Sequence, residues 1–115
     1  MREVARDVSG GELSALLGGE RRPIVLDVRS SAEFAAGHIQ GAVHVPFWAV
    51  PWRSGRLRAA PDDPIVVYCG HGPRALFARS ALRRLGFMHV ACLAGHMAQW
   101  RREGRPEVRG STGLD

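Results

Sequence analysis

The sequence predicts an α/β fold in one domain, and three observations carry that prediction. Apolar runs of strand length at residues 24–28, 43–45, 65–68 and 90–93 alternate with stretches of helical spacing. Strands separated by helices build βαβ units, so the sheet should be mainly parallel and covered by helices on both faces. At 115 residues the chain can bury roughly two-thirds of its unfolded surface in a single core, and no repeat or low-complexity segment divides it. All of 1–115 is therefore expected to form one domain with its core over about 4–106, while 107–115 lacks periodicity and is expected to fray.

Each element has a local reason. Ser9 and Glu12 stand at the Ser-x-x-Glu spacing of a capping box, and Leu13, Leu16 and Leu17 follow at helical spacing until Gly18 and Gly19 stop the run. Pro23 introduces the first strand, which carries Asp27 near its end. Ser30 and Glu33 repeat the capping spacing and open a helix of barely two turns that ends at Gly37. Val43 begins a short strand ended by Pro46. Between 47 and 64 Trp48 and Trp52 keep helical spacing while Pro51 and Gly55 interrupt it, which predicts a broken helix. From about Pro73 to Leu85 the residues Ala75, Ala78, Leu82 and Leu85 share a face, and Gly86 is a natural stop. A strand at 90–93 and a short helix from Met97 to about Arg102 complete the order.

Composition excludes several function classes. Net charge is +5, from 16 basic and 11 acidic residues, and every basic residue is an arginine. A basic balance can attract nucleic acid, but the arginines are dispersed, no aromatic residues interleave a basic tract, and Arg79 and Arg83 read as a solvated helix face. No nucleic-acid partner is expected. No run approaches the roughly 18 apolar residues of a membrane span, and the charged start from Met1 to Asp7 lacks the apolar stretch of a signal peptide. A soluble, cytoplasmic protein is the expectation. Cys69 and Cys92 form no disulfide framework and no zinc-type Cys/His cluster, which suits a reducing compartment and predicts neither metal nor organic cofactor.

The chemistry gathers at Cys69, where a strand ends and a turn begins, the place at which α/β sheets hold their ligands. Gly70 and Gly72 allow backbone N–H groups to turn inward on one point, and Pro73 suits the first helical position. His71 and Arg74 complete the loop. Converging amides, a helix N-terminus and the permanent charge of Arg74 all favour a thiolate, and cysteines so placed titrate between about 3.5 and 7.5 rather than near 8.5. Cys69 is therefore read as a nucleophile, ahead of the plainer reading of a small residue closing a buried strand. A parallel sheet brings Asp27 and Arg29 beside this loop, where they can pair with one another or brace it; the structural role is favoured over substrate contact.

Three segments together resemble the single-domain rhodaneses: Leu26-Asp27-Val28-Arg29 with Glu33-Phe34 and Gly37-His38-Ile39-Gln40-Gly41-Ala42; the run from Cys69 through Gly70, His71, Gly72, Pro73 and Arg74 to Ala75; and Leu93-Ala94-Gly95 with Trp100. The resemblance covers about 4–106 and implies a rhodanese-like domain with a sheet of about five strands. It also implies a sulfurtransferase in which Cys69 takes a sulfane sulfur from a small donor such as thiosulfate, becomes a persulfide and gives the sulfur to cyanide or a thiol. Gly70, His71, Gly72, Pro73 and Arg74 would bind the donor, with Arg74 orienting one of its oxyanions. A sulfur-carrier or regulatory module, loaded by a protein persulfide donor, is the alternative. Phosphatases of related fold, similar to the cell-cycle dual-specificity enzymes, hold five residues between Cys and Arg in a cradle wide enough for phosphate or arsenate. Here there are four, and the tighter loop favours a single sulfur atom. One departure stands out: many rhodaneses carry a second glycine after the one matching Gly95, and His96 stands in its place, which puts a local turn in question if positive φ is required there.

The remaining candidates have plainer readings. His71 could bind an anion or merely point to solvent. His38 is expected to hold a turn by hydrogen bonds. Trp48 and Trp52 could wall the site, but packing is preferred; Trp100 resembles a core tryptophan of the family; Cys92 could resolve a persulfide, but a buried, inert thiol is preferred. His44 and His89 carry no signal beyond their strands, and the sequence leaves the oligomeric state open.

Overall fold

The computed structural model describes residues 7–110. Four parallel strands form one sheet: β1 (Ile24–Asp27), β2 (Val43–His44), β3 (Pro64–Tyr68) and β4 (His89–Cys92), in the order β2-β1-β3-β4. Val8 adds a one-residue parallel bridge to Leu93 beyond β4, so the five strands expected are four and a single bridge. Central β3 is paired on both sides, Asp27 lying opposite Tyr68 and Val67 opposite Cys92. Being covered on both faces, it reads as an unbroken apolar run.

Five helices cover the sheet: α1 (Gly10–Leu17), α2 (Ser31–Ala36), α3 (Val50–Arg53), α4 (Pro73–Arg84) and α5 (His96–Arg102). The alternation of β3 sorts them. Ile65, Val67 and Cys69 point to a core shared with Val50 of α3 and with Ala75, Ala78 and Leu82 of α4. Val66 and Tyr68 point the other way, into a core with Leu13 of α1, Phe34 of α2 and Met97 and Trp100 of α5. Both capping boxes form as the spacing predicts: Ser9 Oγ accepts the Glu12 N–H at 3.0 Å and Ser30 Oγ the Glu33 N–H at 3.2 Å, each glutamate returning a bond to its cap. Such a cap is worth about 1 kcal/mol.

Three expectations are corrected. Leu85 lies past the end of α4 and is 46% exposed, outside the face of Ala75, Ala78 and Leu82. The broken helix is present as 3-10, α and 3-10 turns, but Trp48 and Trp52 are 53% and 66% exposed rather than packed, their rings 6.4 Å apart. Residues 107–110 do not fray: Val108 exchanges two 2.8 Å backbone hydrogen bonds with His38, and the Gly110 N–H reaches the Ala35 carbonyl at 3.0 Å. One bridge of this kind needs no periodicity, so composition gave no sign of it. Residues 4–6 of the expected core and 111–115 of the expected tail lie outside the described residues.

Candidate active site

Cys69 follows β3 directly, and its backbone is used up on both sides. Its carbonyl accepts the Met97 N–H at 3.0 Å, the Gly70 carbonyl accepts the Ala98 N–H at 3.2 Å, and its own N–H donates to Nδ1 of His96 at 3.2 Å. The first turn of α5 thus seats the strand end from behind. From the front the loop folds back over the sulfur: the Gly72 N–H donates to Cys69 Sγ at 3.0 Å, and the Ala75 N–H also bonds it. Gly72 sits at φ 139°, open only to glycine, and Pro73 begins α4 immediately after it. Of the loop amides, then, Gly72 and Ala75 serve the sulfur, and the His71 side chain is exposed.

The electrostatics follow from that seating. Burial pushes the fully enclosed Cys69 thiol up, but the neighbouring His96 imidazole and the N–H groups of Ala75 and Gly72 outweigh it and bring the pKa down from 9.0 to about 7. A large fraction of Cys69 is therefore thiolate at neutral pH. Arg74, read from the sequence as a permanent charge beside the sulfur, is also paired. Its fork is closed on Glu33 of α2, Nη1 to Oε1 at 2.7 Å and Nη2 to Oε2 at 3.1 Å, and this bond holds Glu33 down to about 2 against its partial burial. Arg74 Nη2 lies 3.3 Å from where a Cβ on Gly70 would stand, so the pair also clamps the loop to α2.

Asp27 and Arg29 pair with one another. Arg29 Nη2 reaches Asp27 Oδ2 at 2.8 Å with both groups buried, the same nitrogen donates to the Gly37 carbonyl at 2.7 Å, and the guanidinium lies 5.5 Å over the Tyr68 ring. They brace the turn after β1 and the entry to the His38 turn; their hydrogen bonds go to these partners rather than to the Cys69 loop. His38 holds its turn as expected, Nδ1 lying 2.7 Å from the Phe34 carbonyl. Cys92 is buried and free, and burial pushes its thiol up, in keeping with an inert role.

Two residues escaped the sequence reading. Glu33 was legible as half of a capping box and as part of the resemblance, with no sign of its partner on α4, yet the same carboxylate serves Ser30 and Arg74. His96 was legible only as a substituted glycine; at φ 55° it does occupy the left-handed region, and its ring faces the reactive residue.

Comparison with known proteins agrees with this geometry. The model of the Rhodanese-like domain matches residues 9–103. A sulfurtransferase of Allochromatium vinosum is 30% identical over 105 residues, covering 91% of this chain and 96% of its own. The thiosulfate sulfurtransferase GlpE of Pseudomonas fluorescens is 37% identical over 83 residues, 71% of this chain and 73% of its own. Among solved structures, a rhodanese-related protein from Thermoplasma volcanium superposes with a TM-score of 0.76 at 26% identity, over 90% of this chain and 97% of that one.

Proposed function

The chain belongs to the rhodanese-like domain family, and on that premise we propose that it moves a sulfane sulfur from thiosulfate or a similar donor to cyanide or a thiol through a persulfide on Cys69. The observation that carries this reading is the Cys69 sulfur enclosed at the end of β3, with the Gly72 N–H turned back to donate to it at 3.0 Å. The thiolate attacks the terminal sulfur of the donor; the donor S–S bond breaks, sulfite leaves with the bonding pair, and the outer sulfur of the new persulfide bears the charge. An acceptor then attacks that outer sulfur, the persulfide bond breaks, and the Cys69 thiolate returns. Both states are anions, so N–H groups converging on this point favour each of them.

The enclosed position of Cys69 favours a donor that presents a single small atom. Arg74, fixed by Glu33, would orient the sulfonate end of such a donor. The proposal includes a reducing, cytoplasmic setting; no helix among the described residues is long and apolar enough to cross a membrane. Steady-state formation of thiocyanate from thiosulfate and cyanide tests the reading. Turnover is expected for the natural sequence and none for Cys69→Ser, and a turning-over Cys69→Ser protein would contradict the mechanism. Absence of turnover with free thiosulfate, together with sulfur uptake from a cysteine desulfurase, would replace the enzyme by the carrier reading.

A further inference from the structure

His96 occupies a position whose backbone asks only for glycine. Gly95 and His96 lie at φ 73° and 55°, two successive left-handed residues, and a second glycine would satisfy the turn. The side chain present instead is almost fully buried and stands behind the reactive loop. Nδ1 accepts the Cys69 N–H, which commits its lone pair and leaves the ring hydrogen on Nε2. Nε2 in turn points to Gly72, lying 3.5 Å from where a Cβ there would stand, and the Gly72 N–H itself touches Sγ.

We propose that His96 is a further N–H donor to the sulfur, its ring locked by the Cys69 N–H and its Nε2–H turned to the Gly72 side of the sulfur and of the persulfide built on it. The assignment rests on the reading of Cys69 as the sulfur-carrying residue. The lowering of the Cys69 pKa by its His96 neighbour agrees with it. Other ionisable groups around the sulfur are differently engaged. Arg74 of α4 is paired with Glu33, Cys92 of β4 is a buried thiol, His71 of the loop is exposed, and the Tyr68 hydroxyl on β3 faces the opposite core, where it accepts the Ile39 N–H. Ionisation at this site releases the thiol proton to solvent and leaves the imidazole as donor.

The test is the thiolate absorbance of Cys69 against pH, corrected with a Cys69→Ser control, in the natural sequence, His96→Gly and His96→Asn. Both substitutes tolerate the left-handed backbone. Asparagine places Oδ1 where Nδ1 stood, so it can keep the Cys69 N–H bond while removing the atom at Nε2. We expect a midpoint near 7 for the natural sequence and one about a pH unit higher in both variants, so that thiolate at pH 7 falls from about half to about a tenth. Thiosulfate loading should slow in proportion at pH 7 and recover at high pH. Equal midpoints in all three proteins would overturn the proposal, as would an asparagine variant matching the natural protein, since the ring would then only be an acceptor for the backbone. Raised midpoints with no sulfur gained from any donor would uphold the role of His96 and overturn the sulfur-transfer reading instead.

Discussion

The turns after β1 and β3 begin side by side, Asp27 in register with Tyr68, yet they use charge in opposite ways. After β1 a carboxylate and a guanidinium are buried together and satisfy one another, Arg29 adding the Gly37 carbonyl. After β3 a single sulfur is enclosed by N–H groups from Gly72 and Ala75 and by an imidazole, and the nearest arginine is engaged elsewhere. The first arrangement is electrically closed and serves as scaffold. The second leaves one anion supported by dipoles, which is what a nucleophile needs if its charge must pass to a new atom during the reaction. Position at the end of a parallel strand therefore does not by itself mark a reactive group; the balance of donors and acceptors around it does.

The sharpest way to break that contrast is to open the closed pair. Asp27→Asn keeps the shape but leaves the Arg29 charge buried without its counterion, and stability should fall by about 3–5 kcal/mol in denaturant unfolding. A loss below about 1 kcal/mol would mean that the pair is not the scaffold described. The reactive turn predicts a smaller, pH-dependent effect. Cys69 has a lower pKa folded than unfolded, so its contribution is fully present above about 9 and disappears as pH falls through about 7. Between those values stability should rise by about 2 kcal/mol, and Cys69→Ser should flatten that rise. A profile indifferent to Cys69 would show that the sulfur is not held as an anion. The smallest expected effect is at Arg74, whose pair with Glu33 is partly open to solvent. Arg74→Ala should cost under about 1 kcal/mol of stability while slowing sulfur loading about tenfold. Unchanged loading would confine Arg74 to tying the loop to α2.

Much of this was legible beforehand, and the reasons differ by element. Strand and helix order could be read because β3 is covered on both faces and so is continuously apolar, and because Ser9 and Ser30 announce their helices three residues before a glutamate. Cys69 could be read from the glycine-rich loop after it, where Gly72 takes a φ of 139° that its geometry demands. What could not be read was how side chains from distant segments meet. Glu33 precedes Arg74 by 41 residues and His96 follows Cys69 by 27, and no spacing rule spans either gap. Exposure was equally hidden: Trp48 and Trp52 have the spacing of a packed face, and only the turns around Pro51 direct them outward.

The most direct test of the Cys69 persulfide is the intact mass of the protein after exposure to thiosulfate, with Cys69→Ser treated alongside. A gain of one sulfur atom is expected on the natural protein alone, removed again by cyanide. No gain on the natural protein, or an equal gain on Cys69→Ser, would contradict the persulfide mechanism.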